Sequence, residues 1–318
     1  MGGVRKLHYL PPRNAHFRNS IVEAQPKCHY TSDMPLAAII SKPQKPELAG
    51  ILSELVSWLE SQGYQYVLDP DSAAYLAGAV GIERPQLPRH KPDLVIVLGG
   101  DGTLLAAARA FARTVTPILS VNLGSLGFLT EIPLAELYVT LQDWCDHRAQ
   151  VEVRSMLHTE LRREGKLLHH WNALNDVVVS KGTIARMADF MVEIDEQLVA
   201  KFRADGIIIA TPTGSTAYNL AANGPIVMPN VNAMLVTPIC PHLLTLRPIV
   251  VPGDSSVSVH ITGVPNQTYL TVDGQEAVEL MLGDQVHCCR SQYSVRLLRH
   301  TPNGVFNVLR SKLKWGER

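Results

Sequence analysis

Cysteine is scarce and badly spaced for covalent or metal frameworks: five residues, an odd number, with no CxxC pair. That pattern excludes a disulfide scaffold and a zinc ribbon, so Cys28, Cys145, Cys240, Cys288 and Cys289 read as free thiols of a reducing compartment. Net charge is missing as well. Lys plus Arg and Asp plus Glu are 29 each, which leaves no global field to draw in nucleic acid or an anionic membrane. No apolar run is long enough to span a bilayer. Two nucleotide signatures are absent too. No GxGxxG stands at the first strand–helix turn, and no GxxxxGK[ST] occurs, which argues against a Rossmann dehydrogenase and a P-loop enzyme. The opening MGGVRKLHYLPPRNAHFRNS is polar and proline-broken, without the apolar stretch of a secretory signal. Residues 1–35 are therefore expected to be a loose extension, and the protein to be cytoplasmic.

What is present is core material: 46% of the residues are hydrophobic and 18% charged, a profile that excludes a disordered chain. From residue 36 strands and helices alternate. Leu48, Ile51, Leu52, Leu55, Val56 and Leu59 recur at helical spacing, and Gly63 is placed to stop that helix. DLVIVL (93–98) and Pro117–Val121 read as buried strands, with helices at Leu104–Ala112 and Leu134–Trp144. Strands spaced by helices predict an α/β domain with a parallel sheet over residues 36–150. Beyond it, short β-rich runs with Gly, Pro, Asn and Asp at their turns predict an all-β, sandwich-like domain over 151–300. Trp171–Ser180 reads as one strand of it. A helical segment at Thr213–Ala222 interrupts these runs, and a last helix, Val305–Leu313, lies in the tail of 301–318.

Four motifs carry chemistry. Gly99-Gly100-Asp101-Gly102-Thr103 follows a buried strand and opens a helix. Glycines there bring backbone N–H groups close to an anion, so Gly99, Gly100, Gly102 and Thr103 are candidate phosphate binders. A carboxylate in such a nest repels phosphate. Asp101 makes sense if it meets a proton or a phosphate-bound metal, unless it merely caps the helix. Asn122 to Thr130 (NLGSLGFLT) follows the next buried strand and faces the same crevice. There Asn122 can address a ribose and Phe128 a base, or Phe128 can simply fill the core. Asn175-Asp176 breaks a strand pattern, as a pair for ribose hydroxyls or an adenine edge, or as a bulge or an Asx-turn. Thr211 to Ala221 (TPTGSTAYNLA) crowds hydroxyls around a glycine at a helix start, more than capping alone explains.

Together these blocks closely resemble the NAD kinase family, chiefly its bacterial branch. The stretches VIVLGGDGTLL, VNLGSLGFLTE, NALNDVVVSKG, DGIIIATPTGSTAYNLAANGPIV, TPICPHLLTLRPIVV, VDGQE and VLRSKLKWGER stand in the family's order across about residues 37–316. The resemblance implies a phosphotransferase that makes NADP from NAD. A divalent cation such as Mg²⁺ would assist, with ATP, and in some members polyphosphate, as donor. It further implies Asp101 as the base on the 2′-hydroxyl of the adenosine ribose, and NAD contacts from Gly102, Asn122, Phe128, Asn175, Asp176, Arg186, Arg203, Asp205 and Gln275. Thr216, Ala217, Tyr218, Asn219, Leu220 and Ala221 would line the adenine and ribose pocket. No protein metal ligand is assigned. A tail that returns to the first domain and a homotetramer or homodimer are also implied. Asn223 departs from the family's usual glycine, at a turn where Asn tolerates positive φ. His169-His170 alternate across a strand and make a poor metal pair. The rival readings are a diacylglycerol- or sphingosine-type lipid kinase, which shares GGDGT but needs a membrane-facing patch, and a non-catalytic NAD sensor, which would not need Asp101.

Overall fold

Leu48, Leu52, Leu55 and Leu59 fall on one face of helix α1 (Leu48–Ser61) and are all buried. The chain leaves that helix at Gly63, whose φ of 75° suits glycine. The computed structural model describes residues 34–124, 127–182, 187–263, 267–299 and 305–315.

The α/β half contains β1 (Leu36–Ser41), β2 (Gln65–Leu68), α2 (Pro70–Ala73), β3 (Leu94–Gly99), α3 (Asp101–Phe111), β4 (Ile118–Asn122), the two-residue β5 (Ile132–Pro133) and α4 (Leu137–Cys145). β2, β1, β3 and β4 pair in parallel in that order. Every residue of β3 and β4 is buried, as expected of strands covered on both faces. One face packs on α1 and α4, the other on α3.

The β half follows with β6 (Gln150–Arg163), β7 (Lys166–Ala173), β8 (Asp176–Lys181), β9 (Ala188–Ile194), β10 (Gln197–Ala204), β11 (Gly206–Ala210), α5 (Tyr218–Ala221), β12 (Ala233–Ile239), β13 (Ile249–Pro252), β14 (Val257–Ile261), β15 (Thr268–Val272), β16 (Glu276–Leu280) and β17 (Gln285–Arg299). α6 (Val305–Leu313) comes last. The strands β13-β12-β11-β8-β15-β16 form one antiparallel sheet. β10, β9, β14, β17, β6 and β7 face it, and the apolar positions of both sheets, Phe190, Ile207, Ile209, Leu270 and Val286 among them, make one sandwich core. The predicted parallel α/β half and antiparallel sandwich half are both found.

Two features of the topology were not predicted. β17 is 15 residues long; it pairs with β14 and β6 and, at Leu297, parallel to Ile118 of β4. One 11-stranded sheet thus runs through both halves. The segment read as a single strand over Trp171–Ser180 is instead two, β7 in the large sheet and β8 in the six-stranded one. The chain changes sheet at Leu174-Asn175, which places Asn175 and Asp176 at a crossover and not in a bulge.

Candidate active site

Gly100, not Asp101, caps α3. The Asp101 side chain leaves its own helix and enters the loop after β4. Its Oδ2 accepts the Phe128 N–H at 3.0 Å, and its Oδ1 accepts the N–H groups of Leu129 and Thr130 and the Thr130 hydroxyl at 3.2, 3.0 and 2.9 Å. Oδ1 is therefore saturated, while Oδ2 has one protein donor and keeps acceptor capacity. The approach is close enough that a Cβ at Gly127 would overlap Asp101 Oδ1 and Thr130 Oγ1. Asn122 backs the clamp. Its Nδ2 donates to the Thr130 hydroxyl at 3.0 Å, and its Oδ1 accepts the Gly124 N–H at 2.6 Å. Both amide ends of Asn122 are thus engaged with the loop. Ser125 and Leu126 of the same motif lie outside the described residues.

Asp176 and Asn175 sit on a second platform, braced by a residue that sequence reasoning passed over. Asp273 and Gly274, with φ of 49° and 64°, form the tight turn between β15 and β16. The Asp273 carboxylate accepts the N–H groups of Leu174, Asn175 and Asp176 at 2.9, 2.8 and 3.1 Å. Its neighbour Gln275 donates to the Gly102 carbonyl at 2.7 Å and accepts from Arg109, which also pairs with Glu276. The VDGQE turn so ties the GGDG turn to Asn175-Asp176. The Asp-Gly turn was legible in the sequence, but which backbone its carboxylate serves was not.

From the other side, Thr211 closes on the same platform. Its N–H donates to the Asn175 carbonyl at 2.9 Å and its hydroxyl to the Leu174 carbonyl at 2.6 Å. A Cβ at Gly214 would collide with the Asn175 carbonyl, so this glycine permits the contact. The Tyr218 backbone N–H lies near enough to the Asp176 carboxylate to favour its ionised form. The surplus hydroxyls mostly find internal partners: Ser215 exchanges hydrogen bonds with Val227, and Thr216 donates to Thr213. Asn219 is fully buried, held by the Ser215 and Pro225 carbonyls and the Thr237 hydroxyl. It shapes the turn from behind. Half-buried Ala217 and Leu220 and exposed Tyr218 and Ala221 are left on its outer side. Asn223 takes φ 62°, as its substitution for glycine requires.

Electrostatics separate the two platforms. Burial and the nearby Asp273 raise the Asp176 carboxyl to about 7, against the Tyr218 N–H, which lowers it. Burial also pushes Asp273 up, although three backbone N–H groups oppose it. Asn175 Oδ1 is buried with no hydrogen-bond partner among the described residues.

A small cavity of about 20 Å³ lies between the loop after β4 and the TPTGST turn. Phe128, half-buried and not in the core, lines it with Thr213, Thr216 and Arg154, and Val308 and Leu309 of α6 close one side. Beneath runs an ionic chain invisible in the sequence. Glu131 pairs with Arg299, Arg299 with Glu152 and Glu152 with Arg154, whose guanidinium donates to Thr213 at 3.3 Å. Burial lowers both guanidinium pKa values, Arg299 to about 10. The chain connects the residue after Thr130 with the TPTGST turn.

Two candidates are not brought here. Arg203 pairs with Asp189 at 2.8 Å, and Asp205 with Lys181 at 3.0 Å. They lie by Gly206, at the end of β11 opposite Ala210, which pairs with Asp176. Four residues of strand separate those ends, roughly 13 Å. Arg186 lies outside the described residues. His169 stacks on Trp171, and among the described residues no three His, Cys, Asp or Glu side chains could together hold a metal ion.

A carboxylate oxygen open beside a glycine turn at a helix start, tied through Gln275 to the buried Asn175-Asp176 pair, fits a phosphotransferase that acts on a nucleotide hydroxyl. The comparisons narrow the class. Residues 37–149 match the ATP-NAD kinase N-terminal domain and residues 174–300 the ATP-NAD kinase C-terminal domain. The chain is 61% identical to an NAD kinase of Acidobacterium capsulatum, over 88% of this chain and 99% of that one. It is 49% identical to an NAD kinase of Koribacter versatilis, over 90% of this chain and 100% of the other. Among solved structures, yeast NADH kinase complexed with NADH superposes with a TM-score of 0.83 at 28% identity, covering 90% of this chain and 89% of that one. An NAD kinase from Archaeoglobus fulgidus in complex with ATP gives 0.68 at 24% identity over 88% and 98%, a likeness of fold. The chain belongs to the NAD kinase family.

Proposed function

We propose that this chain transfers the terminal phosphoryl group of ATP to the 2′-hydroxyl of the adenosine ribose of NAD, with Asp101 as the base. The observation that carries the reading is the asymmetry of the Asp101 carboxylate: Oδ1 holds three donors and Oδ2 one. Oδ2 accepts the hydroxyl proton as the ribose oxygen attacks phosphorus. The new P–O bond replaces the bond to the leaving diphosphate, and the proton stays on Asp101. Asn175 Oδ1 and the Asp176 carboxyl hold the ribose and base, Phe128, Thr216, Ala217, Tyr218, Leu220 and Ala221 form the walls, and the glycine turn at Gly100–Gly102 offers N–H groups to the donor, the Thr103 N–H being taken by the Gly100 carbonyl at 3.0 Å. Arg203 and Asp205 stand roughly 13 Å along β11 from the Asp176 end. They fit a homo-oligomer in which one copy presents them to its neighbour's cleft. Light scattering at about 35 kDa, the mass of one chain, contradicts that assembly.

A divalent cation such as Mg²⁺ fits here in company with the donor's phosphates, since no three-ligand cage exists among the described residues. Its ligands would be the donor's phosphate oxygens and water, which leaves Asp101 Oδ2 to the hydroxyl proton. Bound, the cation supplies charge neutralisation on the phosphates. Excess EDTA should abolish NADP formation and added Mg²⁺ restore it. The activity itself is tested with purified protein, NAD, Mg²⁺ and a panel of ATP and polyphosphate donors. NADP is the expected product, and no NADP from any donor would overturn the reading. No helix among the described residues is long and apolar enough to cross a membrane. We place the reaction in the cytoplasm, where NAD and ATP are available.

A further inference from the structure

A second cleft, of about 320 Å³, lies away from the Asp101 centre. It opens where β17 shifts register against β6 between Arg290 and Ser294, a bulge that parts the two strands. Arg113, Arg290, His158, His170 and Tyr293 line it. The Arg113 guanidinium stands over the Tyr293 ring, 5.6 Å from its centroid, and the two imidazoles are 6.0 Å apart. On the same lining, Ser291 donates to Asn172 at 2.8 Å.

The charge here is uncompensated. Among the described residues neither Arg113 nor Arg290 has a carboxylate partner; Arg290 donates only to the amide of Asn232, at 3.1 Å. The arginines of the fold's own networks, such as Arg84, Arg163 and Arg299, each hold one. The carboxylate nearest the imidazoles, Glu160, is taken by Arg162 at 2.6 Å and His158 at 3.5 Å. The volume suits a small ligand. Two guanidinium forks match phosphate oxygens in pairs, and a single carboxylate would satisfy only one of them. Three aromatic rings supply flat wall. Arg113 lies beyond the end of α3 and Asp101 at its start, so the 11-residue helix keeps the two sites about 16 Å apart.

We propose that this cleft binds an oligophosphate anion, borne by a nucleotide or by inorganic polyphosphate, at a site separate from the Asp101 centre. Titration calorimetry of the full chain with tripolyphosphate, and separately with ATP, tests it. Wild type should show a class of sites that R113Q/R290Q loses by at least tenfold in affinity. R113K/R290K, which keeps the charge, should retain part of it. kcat and the KM values for NAD and ATP should stay within twofold in both, since neither arginine belongs to the catalytic cleft. Tighter binding of ATP than of tripolyphosphate assigns the rings to a base; equal binding assigns recognition to the phosphate chain alone. Unchanged tripolyphosphate binding in R113Q/R290Q overturns the proposal. So does a rise in the KM for ATP that parallels the lost binding, because the cleft would then be part of the donor site. Circular dichroism that matches wild type certifies each variant.

Discussion

The two platforms hold their carboxylates in opposite ways. Asp101, partly exposed, is gripped by a loop with four donors, three of them backbone N–H groups on consecutive residues. Asp176, buried, has the Tyr218 N–H and faces a second buried carboxylate, Asp273. The first arrangement fixes an acceptor in space and leaves one oxygen open. The second keeps a proton available near neutral pH and waits for a ligand donor. A fixed acceptor is built into the parallel half, and a buried carboxyl that keeps its proton into the sandwich half. Gln275 and the Glu131–Arg299–Glu152–Arg154 chain keep them in register.

The contrast breaks most sharply at Gly127. Gly127→Ala forces the loop off the Asp101 carboxylate, because the added methyl would overlap Oδ1. kcat should fall by about 10²-fold or more with NAD affinity changed severalfold at most, since a displacement near 1 Å is worth that much. Loss of affinity with kcat intact would place Gly127 on the binding side. Gly214→Ala tests the other platform, where the methyl strikes the Asn175 carbonyl. KM for NAD should rise by about tenfold, read in initial-rate kinetics, while kcat falls less.

Asp176→Asn separates the platforms by pH. The Asp176 carboxyl is raised from 3.8 to about 7, so the folded protein keeps a proton there that the unfolded chain has released. Its contribution to stability therefore declines as pH rises from about 4 to about 7 and stays low above that. The amide removes that penalty. The apo variant should match wild type in Tm near pH 4 and exceed it near pH 8, by roughly 2–4 kcal/mol in unfolding free energy. A Tm difference that does not grow with pH would show that Asp176 ionises freely in the fold.

Gln275→Ala should have the smallest effect. It removes the hydrogen bond to the Gly102 carbonyl, worth about 1 kcal/mol, and kcat/KM should fall by several-fold. A loss as large as that of Gly127→Ala would mean that Gln275 touches substrate.

Much of this was legible in the sequence, for local reasons. DLVIVLGGDGT spells a buried strand, a glycine turn and a helix start in eleven consecutive residues, and α3 and β3 lie where that pattern puts them. The spacing of Leu48 to Leu59 gave α1 its buried face. What failed to show was long-range. WNALNDVVVS is apolar enough to read as one strand, and nothing in it marks the change of sheet; the switch is set by pairing with β6 on one side and β15 and β11 on the other. The Asp273 carboxylate reaches back 97 to 99 residues to its three amides. The hydroxyls of TPTGST looked like a substrate cradle, yet Thr211 and Ser215 spend theirs on neighbouring backbone. Asn122 and Asn219 were read as ligand contacts, and their side chains are engaged inside the fold.

The central claim is that Asp101 acts on the proton and Asp176 on the substrate. Its most direct test is kcat and the NAD dissociation constant measured together for Asp101→Asn and Asp176→Asn, each shown to be folded, across a Mg²⁺ titration. For Asp101→Asn the account predicts a fall in kcat of about 10²- to 10⁴-fold, with NAD affinity nearly unchanged and no rescue by Mg²⁺. For Asp176→Asn it predicts weakened NAD binding with a smaller loss of kcat. A loss of less than about tenfold in kcat for Asp101→Asn, or its recovery at high Mg²⁺, would contradict the assignment of Asp101 as the base.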